Sequence, residues 1–122
     1  MIIGIGTDII EIDRIERAIK NNKNFTNKIF TKKEIEMFNK RNMRSEVIAG
    51  NFAAKEAISK ALGTGIRGFS LRDIEVLRDE FGKPVAHLNN VIENIINKKY
   101  RLNISISHNK TSAIAFAILE EL

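Results

Sequence analysis

Apolar residues recur along this chain with two different periods, and the alternation between them predicts most of the elements. Ile3 and Ile5 alternate with Gly4 and Gly6, the two-residue period of a short strand running into Thr7-Asp8. Ile12, Ile15 and Ile19 then recur at helical spacing while Arg14, Arg17 and Lys20 share another face. An amphipathic helix therefore starts just after Asp8 and ends in the polar tract Asn21-Asn22-Lys23-Asn24. Thr31 followed three residues later by Glu34 is a capping-box pattern for a short helix carrying Ile35 and Phe38. From about Ser45 to Leu62 the sequence is alanine-rich and free of proline, which predicts one long helix with Gly50 as its weak interior point and Gly63 as its stop. The tract from Gly63 to Gly68 reads as a loop. Ile74 and Val76 alternate with charged neighbours, Phe81-Gly82-Lys83-Pro84 makes a turn, and Val85-Ala86-His87-Leu88 returns as the hairpin partner. Val91, Ile92, Ile95 and Ile96 mark another short helix. Leu102, Ile104 and Ile106 alternate with Asn103, Ser105 and Ser107, and after a turn at Asn109-Lys110 the run Ala113 to Leu119 forms a last, more buried strand.

Composition narrows this picture. With 122 residues, 43% of them apolar, the chain can fill one core but not two, so a single domain over residues 1–122 is expected. The longest apolar run, Ala113 to Leu119, is far shorter than the ~20 residues that span a bilayer, and the start lacks a basic leader. These features predict a cytoplasmic protein that does not enter a membrane. No cysteine is present, so any metal must be held by oxygen or imidazole. Twenty Lys and Arg against 15 Asp and Glu give a net charge of +5, which favours an acidic partner. The basic residues are scattered, and one Tyr with no Trp offers no base-stacking surface, so nucleic acid is not the expected partner.

Candidate chemistry gathers on the long helix. Glu56 lies in an alanine-rich segment between Phe52 and Ile58, where a carboxylate meets costly burial unless it is paired or binds a cation. Lys60 follows at i+4. The pair is either a surface contact worth ~0.3 kcal/mol or two groups aimed into a cleft, where the ammonium would meet phosphate charge. Asp8 reads as a helix cap or as a second carboxylate for the same cation, and Mg²⁺ needs only one or two protein carboxylates. Gly63-Thr64-Gly65 is a helix C-cap or a loop whose amides approach phosphate. Gly82-Lys83-Pro84 is an ordinary hairpin turn by its chemistry, and His108 ends a strand, structural or rigidly mounted for use.

The run Phe52-Ala53-Ala54-Lys55-Glu56-Ala57-Ile58-Ser59-Lys60-Ala61-Leu62-Gly63-Thr64-Gly65, with Gly4-Ile5-Gly6-Thr7-Asp8 and Ser105-Ile106-Ser107-His108, resembles the small single-domain bacterial 4′-phosphopantetheinyl transferases, the holo-acyl-carrier-protein synthases. The resemblance covers nearly the full length. It implies an α+β fold, a small antiparallel-type sheet packed with one long and several short helices. It implies a magnesium-dependent enzyme that moves 4′-phosphopantetheine from coenzyme A to a serine of apo acyl carrier protein in fatty acid biosynthesis, releasing 3′,5′-ADP. Carried over by position, Asp8 and Glu56 are the metal ligands and Lys60 faces the cofactor's diphosphate; as catalytic groups, Glu56 is the candidate to take the serine proton, directly or through a metal-bound water, and Lys60 to stabilise the leaving phosphate. Gly63, Thr64, Gly65, Gly82, Pro84 and His108 lie along the cofactor. A homotrimer with shared sites is implied, His108 coming from a neighbouring chain, because larger relatives carry two copies of the unit and this chain one. The carriers are acidic, so Arg14, Arg17 and Lys20 are the expected docking residues. One departure stands out: the family usually has a basic residue directly before Phe-Ala-Ala-Lys-Glu, aimed at a cofactor phosphate, and this chain has Asn51, so either cofactor affinity is weaker or Arg41, Arg44 or Arg67 supplies the cation. The alternatives are a basic nucleic-acid-binding module and a non-catalytic member that binds coenzyme A or a carrier protein.

Overall fold

The structure is a computed structural model that describes residues 1–64 and 67–122. In chain order the elements are β1 (Ile2–Glu11), α1 (Ile12–Asn21), α2 (Phe25–Ile29), α3 (Lys32–Lys40), α4 (Ser45–Ala61), a single 3-10 turn at Leu71–Asp73, β2 (Ile74–Arg78), β3 (Pro84–Leu88), α5 (Asn90–Ile96), β4 (Tyr100–His108) and β5 (Ser112–Glu121). β1, β5 and β4 form an antiparallel sheet in that order, and β2 and β3 form a separate hairpin. This is the expected α+β arrangement of one long and several short helices.

The long helix lies on one face of the three-stranded sheet, and small residues on both sides let it come close. Ala113, Ala115 and Ala117 of β5 and Ala53, Ala57 and Ala61 of α4 are all buried. On β1 the approach is closer still. A Cβ built on Gly4 would lie 1.7 Å from the Ala61 carbonyl oxygen, and one on Gly6 would lie 1.9 Å from that of Ala57. Only glycine tolerates backbone contact of this kind. The two glycines therefore set where the C-terminal half of α4 sits over β1.

Two expectations about the elements need correction. β1 does not stop at Asp8: Ile9 pairs with Ile114, Ile10 with Ala113 and Glu11 with Ser112, and α1 begins only at Ile12. Asp8 is a strand residue with no capping role, because ladder pairing to β5, distant in sequence, outweighs the local helical pattern. The short helix α2 carries no periodic signal and was not expected.

The capping box of α3 is formed, and its glutamate does more than cap. Glu34 Oε1 accepts from Thr31 N at 2.9 Å while Thr31 Oγ1 accepts from Glu34 N at 3.2 Å. The same carboxylate is fully buried and meets Lys55 Nζ of α4 at 2.6 Å. Lys55 also donates to the carbonyls of Ile29 and Leu71 at 2.9 Å and of Ile74 at 2.6 Å. Desolvation presses the Lys55 ammonium below its ordinary pKa, and the Glu34 charge opposes that. Asn51 Nδ2 donates to Glu34 Oε2 at 3.0 Å and to Val76 O at 2.8 Å, and Val76 N donates to Glu34 Oε2 at 3.1 Å. One buried ion pair thus ties α2, α3, α4 and β2 together.

Candidate active site

Asp8 reaches its neighbours through β1, and Glu56 and Lys60 through α4. Asp8 lies one alternation beyond Gly6 on the face that α4 covers, so the glycine contacts that seat the helix also bring its last turns to the carboxylate. Lys60 Nζ donates to the Thr7 carbonyl oxygen at 2.9 Å and meets Asp8 Oδ1 at 3.5 Å. The Asp8 side chain is 18% exposed and that of Lys60 is 58% exposed. Burial raises the pKa of the Asp8 carboxyl, with Lys60 pulling the other way. Burial also raises that of Glu56, the negative charge of Asp8 adds to the rise, and Lys60 again opposes it. Two carboxylates and one ammonium thus share a partly desolvated corner.

Asp8 and Glu56 open into a cleft of about 470 Å³ whose apolar walls include Ile10, Ile15, Phe25 and Phe52. Phe25 stacks on Phe52 with ring centroids 6.3 Å apart, which gives the unexpected helix α2 a use as one wall. Arg14 lines the mouth of this cleft. Arg17 and Lys20 do not: Arg17 is exposed elsewhere on α1, and Lys20 lines a smaller hollow with Met43 and Ser45.

The other expected cofactor residues are dispersed. Gly63, with φ of 77°, follows the C-cap of α4 and donates its N–H to the Lys60 carbonyl at 3.1 Å, one helical turn past the centre. Thr64 follows it, and Gly65 lies outside the described residues. Gly82, with φ of 83°, and Pro84 sit at the β2–β3 turn, where Asp79 Oδ1 accepts from the N–H groups of Phe81 and Lys83 at 2.8 and 2.9 Å. His108 is exposed at the end of β4 and lines a separate cleft of about 480 Å³ with Asp13, Glu16 and Glu46. Within one chain, then, the structure brings Asp8, Glu56 and Lys60 together but not His108.

Asn51 points into the core. It is fully buried against Glu34, and its Oδ1 has no partner among the described residues. The cations considered in its place have separate fates. Arg44 is paired with Glu46 at 2.6 Å. Arg41 lines a cleft of about 490 Å³ with Lys33, Lys40 and Arg78, and with Glu36 as its one carboxylate. The Arg78 guanidinium is pressed below its ordinary pKa, first by desolvation and then by the Arg41 charge. Arg78 shares the face of the buried Ile74 and Val76 at the end of β2, a position that the two-residue alternation could have flagged.

Residues 4–118 match the model of the 4′-phosphopantetheinyl transferase superfamily. The chain is 62% identical to a holo-[acyl-carrier-protein] synthase of Clostridium perfringens, over 98% of this chain and 95% of that protein. Among solved structures it is similar to a holo-(acyl-carrier-protein) synthase of Bacillus anthracis in complex with CoA (3′,5′-ADP), with a TM-score of 0.84 and 39% identity over 100% of this chain and 99% of that one. It is similar also to the Helicobacter pylori holo-[acyl-carrier-protein] synthase in complex with coenzyme A, with a TM-score of 0.86 and 36% identity over 95% and 99% of the two chains.

Proposed function

The chain belongs to the 4′-phosphopantetheinyl transferase superfamily, and from that premise we infer that the Asp8–Glu56–Lys60 cluster is the centre of its reaction. The chain transfers 4′-phosphopantetheine from coenzyme A to a serine of apo acyl carrier protein, releasing 3′,5′-ADP. The observation that supports this centre is the convergence of two carboxylates with raised pKa and one exposed ammonium at the end of an apolar cleft.

The residues at that corner fit Mg²⁺. No group of three or more His, Cys, Asp or Glu side chains suited to a metal occurs among the described residues, but Asp8 and Glu56 supply the one or two carboxylates that Mg²⁺ takes when water and phosphate oxygens fill its other positions. The mutual repulsion of Asp8 and Glu56, only partly offset by Lys60, favours a cation. Asp8 and Glu56 would hold Mg²⁺, and the chemistry it would supply there is electrophilic charge withdrawal from a phosphate group.

The chain's own groups carry the rest. Glu56, a half-buried carboxylate beside Asp8, takes the proton of the serine hydroxyl. As the serine oxygen bonds to phosphorus, the bond to 3′,5′-ADP breaks and charge grows on the leaving phosphate. Lys60, more than half exposed on its four-carbon stem, stabilises that charge. Arg14 at the cleft mouth draws the acidic carrier in. For the cofactor's remaining phosphate we assign Arg41 and Arg78, whose adjacent like charges an anion would relieve. An unchanged Michaelis constant for coenzyme A in Arg78→Ala would remove this assignment.

The assembly we assign is a homotrimer with His108 donated across the interface. One face of the three-stranded sheet supports it: Ile5 and Ile9 of β1 and Ile114 and Phe116 of β5 lie opposite α4 and are exposed, Ile9 at 67%. An apolar face this continuous marks an association surface. Fatty acid biosynthesis in the cytoplasm is the setting that the resemblance supports. The decisive experiment incubates the protein with apo carrier protein, coenzyme A and Mg²⁺ and weighs the carrier. A gain of one phosphopantetheine is expected; no gain with a folded carrier overturns the reading.

A further inference from the structure

We propose that Lys60 is an internal competitor for the cation site: in the metal-free chain its ammonium group takes the place on Asp8 that a divalent cation requires, so cation binding and release of Lys60 toward the cofactor are coupled. This rests on the reading of Asp8 and Glu56 as the cation site. Lys60 Nζ is anchored at two points, the Thr7 carbonyl oxygen at 2.9 Å and Asp8 Oδ1 at 3.5 Å. Both acceptors belong to β1, the edge strand against which Gly4 and Gly6 press the last turns of α4. The ammonium is thereby held at the carboxylate while its side chain stays 58% exposed.

Those two facts pull in different directions. Asp8 is largely enclosed, at 18% exposed, so few groups can reach it. The pair itself is open to solvent on the lysine side, and an exposed ion pair shifts an equilibrium by about fivefold at most. Lys60 therefore occupies Asp8 without sealing it. A divalent cation entering between Asp8 and Glu56 would place two positive charges beside a third, and the flexible ammonium is the one free to leave. Released into solvent, it is available to an anion such as a diphosphate. By reciprocity, an anion that draws Lys60 away also tightens cation binding.

The test uses Mn²⁺ alone, titrated into the metal-free protein without coenzyme A, with free Mn²⁺ followed by electron paramagnetic resonance. Lys60→Met should tighten Mn²⁺ binding about three- to fivefold. Arg14→Met is the comparison, since it removes a cation lining the same cleft that makes no bond to Asp8 among the described residues; its effect should stay under about twofold. Equal tightening by both variants would mean a general field effect, and no change in Lys60→Met would mean no competition; either result overturns the proposal. If Asp8→Asn binds Mn²⁺ as the wild type does, the cation site is not at Asp8 and the reading of the centre fails with it. Melting curves of each variant establish that the chains compared are folded.

Discussion

Substituting Gly6 by alanine tests whether backbone contact between β1 and α4 builds the active centre. The added Cβ would lie 1.9 Å from the Ala57 carbonyl oxygen and 2.9 Å from both the Ala57 carbonyl carbon and the Ala61 nitrogen. A relaxed carbon–oxygen contact needs about 3.3 Å, so α4 must withdraw by roughly 1.4 Å. These are backbone atoms inside a 17-residue helix, and no side chain can turn aside. The shift carries Glu56, next to Ala57, and Lys60, next to Ala61. At that distance the 2.9 Å bond from Lys60 to Thr7 is lost. A displacement of ~1 Å at a catalytic group costs about 100-fold in rate. Overpacking costs about 2 kcal/mol net of the entropy that alanine removes from the unfolded chain, or roughly 6–10 °C in melting temperature. Gly50→Ala is the control on the same helix. There the new Cβ meets only the Ile106 Cγ2 methyl at 2.9 Å, a side-chain end that can move, and better helix propensity offsets the crowding. Turnover is measured by mass spectrometry of the carrier, metal binding by Mn²⁺ titration. If Gly6→Ala turns over and binds Mn²⁺ within twofold of Gly50→Ala, the helix is not held by these contacts and the argument is wrong.

Three further outcomes are expected. Asp8→Asn and Glu56→Gln should each abolish turnover yet melt higher than wild type at pH 7.5 in the absence of metal. Both carboxyls have folded pKa values above their unfolded ones, so the stability they give belongs to the protonated form, complete below pH ~4 and lost as pH rises; a gain of the same size at pH 4 and 7.5 would exclude this cause. Arg14→Glu should raise the Michaelis constant for carrier protein, about tenfold at low salt and less at high salt, with Arg17→Glu weaker because Arg17 does not line the cleft; identical effects of the two would place docking on α1 at large. Inactive Asp8→Asn and His108→Ala chains refolded together in equal amounts should recover about one quarter of wild-type activity if sites form between subunits; a mixture that assembles but stays inactive confines the site to one chain.

What could be read from the sequence divides by the range of the interactions. The Thr31–Glu34 capping box, α4 from Ser45 and the β2–β3 hairpin follow from neighbours a few residues apart, and the structure has them where the pattern puts them. The grouping of Asp8 with Glu56 and Lys60 was legible because the family motifs hold them in register. Continuation of β1 to Glu11 was not legible, since Ile9 and Ile10 suit a strand or a helix start and only pairing with Ile114 and Ala113 decides. Nor was the fate of Asn51. From sequence it stands where a phosphate-binding cation was expected, and only the packing of α3 and β2 against α4 turns it inward to Glu34 and Val76.

The ion pair between Glu34 and Lys55 has a consequence for how this chain tolerates change. Both side chains are wholly enclosed, so losing either partner alone strands a charge away from water, at a cost of about 3–5 kcal/mol. Replacing both by apolar residues of similar volume can be neutral. A scan of single substitutions would therefore score Glu34 and Lys55 as intolerant as Glu56, although neither lines the cleft at Asp8. Only a library of paired substitutions would separate the residues this enzyme needs for its chemistry from those it needs merely in company.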